Sequence, residues 1–246
     1  MTKTTLSILI AAVLASTSAR SAEQLERVTA EGSGRSSVQP YAPLNAMLDG
    51  LQKYGEGMFR LDFRMQPADE KKGYAITPPT LALMHADFYR PLTIGADGTV
   101  ELPVLPEAEA KDADIVTNEP KGSLRLNGTL ALNLRPEQVD LATVRRLDRL
   151  GDRLRSELLP WYARVFFPRF GGVRICSAQP GWELQWRDAQ GQLLGLPLPQ
   201  AKDERDPLLK PGEPARACAV LSGRENWPDA ARLVAPAGTT LSVAVR

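Results

Sequence analysis

The sequence predicts an α+β fold built mainly from antiparallel strands, sandwich-like or as two packed sheets, with one long amphipathic helix between two β regions. Three observations carry this reading. Residues 58–65, MFRLDFRM, alternate apolar and charged side chains without a break. Two glycine-bearing turns lie between alternating runs, and residues 136–158 repeat apolar side chains at helical intervals.

The chain opens on Lys3, an apolar run at residues 5–15 (TLSILIAAVLA) and then the small residues of STSARSA. Charge, apolar core and small residues in that order form a secretory signal, here assigned to residues 1–22. The run is shorter than the ~20 apolar residues of a spanning helix, so the mature chain is expected without a transmembrane segment, in the periplasm, with secretion beyond the cell as the alternative. Losing Lys3 and Arg20 lowers the 30 Lys and Arg by two, to 28, against 29 Asp and Glu. A nearly neutral protein lacks the field that draws nucleic acid or an anionic membrane surface, so neither is an expected partner.

Residues 23–39 are polar with Gly and Ser and read as a flexible linker; the fold then runs as 40–134 and 135–246, or as one continuous domain over 40–246. Leu44, Met47, Leu48 and Leu51 mark a short amphipathic helix ended near Gly55 and Gly57. In MFRLDFRM, Phe59, Leu61, Phe63 and Met65 face one side of a half-buried strand.

Turn chemistry sets two registers. In LTIGADGTVEL, a loop over residues 96–98 pairs Ile94 with Val100 and Leu92 with Leu102, keeping one apolar face. In WELQWRDAQGQLLGLPL, a loop over residues 189–191 pairs Trp186 with Leu194, Leu184 with Leu196 and Trp182 with Leu198. Leu124, Leu126, Leu130, Leu132 and Leu134 keep one phase through Gly128, which indicates one long strand rather than an Asn-Gly hairpin.

The long helix is expected to open with Pro136 in its first turn and to bury Val139, Val144, Leu147, Leu150, Leu154 and Leu158, ending before Pro160. WYARVFFP continues as an apolar, aromatic segment into a strand containing Val173 and Ile175. Cys176 and Cys218 lie 42 positions apart, which excludes C-x-x-C and zinc-cluster spacing and leaves a structural disulfide. Closing that loop is expected to contribute about 4 kcal/mol. It encloses the charged stretch QAKDERDPLLKPGEP, and strands ACAVL and TTLSVAV complete the fold.

Chemistry is sparsely marked. The one histidine, His85, lies on the strand-like run LALMHADFY with Asp87 two residues on, but no G-x-S-x-G elbow supplies a serine. A metal site would have only His85 and carboxylates, so neither metal nor cofactor is expected. Asp62, Asp87, Glu101, Glu183 and Asp188 are candidate acids for glycan hydrolysis, each also readable as an ordinary surface acid. Arg145, Arg149 and Arg153 repeat every four residues as a candidate anion cradle, with Asp148 and Asp152 beside them. Trp182 and Trp186 could stack on sugars, with Trp161 and Tyr162 near in sequence, but their pairing with leucines makes them core.

The exported start, the PYAPL…MLDGLQ helix, the ELPVLPEAEAKDADIV segment and LLPWYARVFFPRFGGVRI leading into a hairpin are similar to a family of proteobacterial periplasmic proteins of no assigned activity. The resemblance spans residues 41–198 and supports the compartment without supplying a catalytic residue. The function expected is a non-enzymatic binding or envelope-maintenance role toward an envelope protein or glycan; the rival is a hydrolase of an envelope glycan, peptide or ester using acids or His85.

Overall fold

The computed structural model describes residues 36–246 apart from Glu70, Phe167 and Pro211. The expected signal, residues 1–22, and most of the 23–39 linker lie outside the described residues. The first half contains β1 (Ser36–Pro40), α1 (Ala42–Tyr54), β2 (Phe59–Pro67), β3 (Leu81–His85), β4 (Phe88–Leu92), β5 (Thr99–Val100), α2 (Glu107–Lys111), β6 (Asp114–Pro120) and β7 (Leu124–Leu132). The second contains α3 (Leu141–Leu158), β8 (Phe170–Ser177), β9 (Glu183–Arg187), β10 (Leu193–Pro197), β11 (Ala217–Leu221), β12 (Arg232–Val234) and β13 (Thr240–Val245). The fold is α+β with packed antiparallel sheets, as the sequence predicts.

The strands form three sheets, ordered β1-β6-β3-β4, β11-β8-β13-β7-β2-β5 and β10-β9-β12. The six-stranded sheet joins the two β regions, because β7 meets β13 at Ala131 and Ser242. The alternation of β2 is realised against β7: Phe59, Leu61, Phe63 and Met65 oppose Leu132, Leu130, Gly128 and Leu126. The single phase through Gly128 therefore holds, and β7 is one nine-residue strand.

The 183–197 hairpin has the expected register. Leu194 pairs with Trp186, Leu196 with Leu184, and the Leu198 amide donates to the Trp182 carbonyl at 2.9 Å. Gly191 turns with φ 81°, the left-handed conformation that the loop requires. The earlier hairpin is shorter than expected. Ile94 pairs with Val100 and Leu92 with Leu81, but β5 ends at Val100, where it also meets Phe63 of β2, and the Leu92–Leu102 pair is not formed. Pro103, lacking an N–H, follows directly and cannot extend that ladder.

Two further expectations are corrected. The end of the expected linker is strand β1, paired with β6 from Ser36 to Pro40; a backbone ladder on an open edge needs no apolar period in the added strand. Pro136 does not open the long helix. Residues Pro136–Gln138 form a separate 3-10 turn and Val139 is extended, its carbonyl accepting from Leu233 at 2.9 Å. The helix starts at Leu141 because Asp140 caps it, its carboxylate accepting from the Thr143 amide at 2.8 Å.

Buried apolar residues form two clusters. One gathers the α3 face (Leu141, Val144, Leu147, Leu150, Leu154) with Leu51, β8, β13, Trp182 and Leu184. The other gathers Tyr41 and Leu44 with Phe63, Met65, Leu83 and Ile115, and Leu61 touches both. Each fully buried leucine contributes on the order of 2 kcal/mol. Gly172 lets β8 pass β11: its φ is 144°, and a Cβ there would stand 2.4 Å from the Leu221 carbonyl oxygen. Gly172→Ala is expected to destabilise by about 3 kcal/mol or more, read as a lowered urea midpoint. An unchanged midpoint would show that the strands separate there at no cost.

Candidate functional site

Helix α3 stops where Pro160 removes the next amide donor; the last helical bond runs from Leu159 to the Arg155 carbonyl at 3.2 Å. The chain then folds into a compact turn. Ala163 and Arg164 donate to the Pro160 carbonyl at 2.9 and 3.3 Å, and Phe166 donates to Ala163 at 3.0 Å. Arg164 reaches back to the helix end, its Nε donating to Leu159 at 2.9 Å and its guanidinium to Ser156 at 2.7 Å. A cation on these carbonyls complements the negative end of the helix dipole. Arg155 donates in return to the Arg164 carbonyl, and Arg169 and Arg246 exchange backbone bonds of 3.0 and 3.1 Å where the turn enters β8.

This framework holds apolar side chains outward. Trp161, Tyr162, Val165 and Phe166 are 78%, 61%, 81% and 85% exposed. The sequence expectation of an apolar run leading into a strand is thus corrected at this point: residues 161–166 are an ordered surface turn. Trp161 and Tyr162 meet edge to face, with ring centroids 5.9 Å apart and planes at 84°. Trp182, by contrast, is 2% exposed, and Trp186 is half-buried against the same cluster, so that face is core.

His85 and Asp87 do not continue one strand. β3 ends at His85, Ala86 and Asp87 turn the chain, and Phe88 pairs with His85 across the hairpin. The Asp87 amide donates to His85 Nδ1 at 3.2 Å, while the Asp87 carboxylate stands 3.6 Å from the same nitrogen. A nitrogen already accepting an N–H cannot also donate to the carboxylate, so the orienting bond of a catalytic triad is not made in this arrangement. The His85 ring stacks on Phe88 at 5.2 Å, and the Arg90 guanidinium lies 5.5 Å from the Phe88 ring centroid.

The arginine row is divided. Arg145 turns away from the row to hold the 223–229 loop, donating to the carbonyls of Gly223 (3.0 Å), Glu225 (2.8 Å) and Trp227 (3.3 Å) and to the Asp229 carboxylate. Arg153 lies 5.8 Å from the Tyr54 ring centroid, and Arg149 is exposed. The expected three-arginine cradle is therefore reduced to Arg149 and Arg153. The candidate acids are held locally: Asp62 accepts from Arg60 at 2.9 Å, Glu183 from Gln185, and Asp188 from the Gln190 and Gln192 amides at 2.9 and 2.8 Å. Glu101 and Asp87 face solvent. Among the described residues no group of three or more His, Cys, Asp or Glu could hold a metal ion, and no helix is long and apolar enough to cross a membrane.

Two buried carboxylates escaped sequence reasoning. Glu119 is fully buried and accepts from Ala75 (3.0 Å), Ile76 (2.7 Å) and the Ser123 hydroxyl (3.0 Å), fastening the segment before β3. Asp206 anchors the charged loop inside the disulfide span. That loop also walls a shallow groove of about 450 Å³, lined by Met65, Gln66, Tyr74, Asp97, Lys210 and Glu213. The Thr99 hydroxyl and amide, donating at 2.7 and 3.2 Å, together with Lys210 at 3.5 Å, hold the Asp97 carboxyl down at about 2. Because the folded value is depressed, the stability that Asp97 adds is present above the ordinary carboxylate value near 4 and is lost as pH falls through about 2. An NMR titration is expected to place Asp97 near 2 and Thr99→Val to raise it; a parent midpoint near 4 would exclude the Thr99 contact.

These observations define a disulfide-bonded α+β protein of packed antiparallel sheets whose most distinctive surface is an ordered aromatic turn. No family model, curated protein or solved structure matches the chain.

Proposed function

We propose that the protein is exported to the periplasm by residues 1–22, belongs with the proteobacterial periplasmic family that its sequence resembles, and acts there as a non-enzymatic binding module of the cell envelope. The buried Cys176–Cys218 disulfide supports an oxidising compartment. The observation that carries the binding reading is the turn at residues 161–166, where four large apolar side chains are 61–85% exposed on a hydrogen-bonded frame. A surface that places such residues in water on a fixed backbone is built for contact. The lone histidine supports the same reading, since its Nδ1 is occupied by a backbone amide of its own hairpin.

Complementation of a deletion strain tests this. His85→Ala is expected to restore the parental phenotype in full, whereas Trp161→Ala/Phe166→Ala is expected to fail at unchanged protein level. The reverse pattern, or turnover of an envelope substrate at an enzyme-like rate by the purified protein, would overturn the reading.

A further inference from the structure

Phe166 is 85% exposed and Val165 81%, so among the described residues the turn is a projecting corner and not the wall of a groove. Its four apolar side chains fall far short of the roughly 20–30 residues a side that a specific protein interface uses. Trp161 and Tyr162 stand edge to face at 84°, so the pair offers no common plane along which successive sugar rings would lie. Trp, Tyr and Phe together are the side chains favoured where water meets hydrocarbon, since each tolerates a contact that is apolar on one side and wet on the other.

Although the chain as a whole is near neutral, the sequence on either side of the corner is one-sided in charge. Residues 149–169 carry Arg149, Arg153, Arg155, Arg164 and Arg169 against only Asp152 and Glu157, in a chain whose formal net charge is +1. Arg149, Arg153 and Arg169 are exposed, and Arg164 lies within the turn itself. Apolar side chains at a tip, with cations set behind them, match the layering of a bilayer surface whose acyl boundary lies beneath anionic phosphates.

Resting on the reading of the turn as the binding surface, we infer that it docks on an anionic lipid bilayer: Trp161, Tyr162, Val165 and Phe166 enter the headgroup boundary while Arg153 and Arg169 meet lipid phosphates. The contact is interfacial and reversible. None of the described helices crosses the bilayer in this arrangement, and the disulfide-bonded sheets remain in water.

Flotation of the purified, processed protein tests this with vesicles of phosphatidylcholine alone and of phosphatidylcholine mixed with phosphatidylglycerol. Binding is expected to the mixed vesicles, to weaken with salt, and to fall about tenfold in Trp161→Ala/Phe166→Ala. Arg153→Gln/Arg169→Gln is expected to lose about tenfold or more on the mixed vesicles only. An unchanged thermal midpoint and intact disulfide establish that the variants are folded, and lipid-borne quenchers are expected to reach Trp161 but not buried Trp182. Absence of binding to mixed vesicles, or binding equal in parent and both variants, would overturn the lipid inference. If a photoreactive phenylalanine in place of Phe166 captures one protein in cells while vesicles are ignored, the lipid inference falls and the binding reading stands. Full complementation by Trp161→Ala/Phe166→Ala, with vesicles ignored by the parent, removes both.

Discussion

Asp206→Ala is expected to lower the stability of the protein by about 3–5 kcal/mol, seen as a fall in the urea midpoint with little change in slope. The Asp206 side chain is 1% exposed and its carboxylate is the junction of three elements. It accepts from Arg216 at 3.2 Å, from the Leu208 amide at 2.9 Å and from the Thr240 hydroxyl at 2.8 Å. Removing it leaves a guanidinium that is only 20% exposed beside an emptied site, with Glu213 at 2.9 Å as its remaining partner. Breaking one side of a buried pair costs more than the pair contributed, because the other charge stays desolvated. Asp206→Asn separates the effects: it keeps the shape and an acceptor, and is expected to cost less than the alanine change. A loss under about 1 kcal/mol for Asp206→Ala would mean that Arg174–Glu204, at 2.6 Å, and the Arg64 bond to Leu209 at 2.8 Å hold the loop without it.

The importance of Asp206 was invisible in QAKDERDPLLKPGEP, which reads as a solvated, proline-bearing loop. Burial of a charge depends on which distant groups arrive beside it, here Thr240 from β13 and Arg216 from across the loop, and no local period encodes that. What sequence does encode is the choice between faces. The Trp182–Leu198 hairpin was legible because a one-residue slip would have turned Trp186 and Leu184 outward, and Gly191 fixed where the loop could sit. The bend at Ala86 and Asp87 was not, because it uses neither glycine nor asparagine and LALMHADFY passes for one strand. Similarly, Pro136 announces a helix start, but it opens only a 3-10 turn; the helix begins five residues on, at Leu141, where Asp140 caps it through the Thr143 amide. The aromatic turn failed for a third reason. WYARVF has the composition of a core strand, and only the cap that Arg164 makes on α3 shows that its side chains point away from both clusters.

The disulfide carries the second large effect. Cys176→Ala/Cys218→Ala is expected to cost about 4 kcal/mol, equivalent to roughly a 10 °C fall in thermal midpoint for a chain of this size. The two cysteines sit opposite one another on β8 and β11, each 1% exposed. Their bond closes the loop containing β9, β10 and the charged segment, so its loss mainly frees the unfolded chain. In the folded state the effect is concentrated at β11, which among the described residues is an edge strand paired with β8 alone. Hydrogen exchange is therefore expected to quicken along Ala217–Leu221 well before it quickens at β13, which is held by β8 on one side and β7 on the other. Because both sulfurs are buried, a mild reductant is expected to leave the folded protein crosslinked and to act only as it unfolds. A double-alanine variant whose midpoint and β11 exchange match the parent would show that the ladder from Cys218 to Leu221 holds the edge by itself. Faster exchange confined to β11 at a lowered midpoint would show instead that the bond secures the one strand of the six-stranded sheet's far edge against opening, and with it the loop that Asp206 anchors.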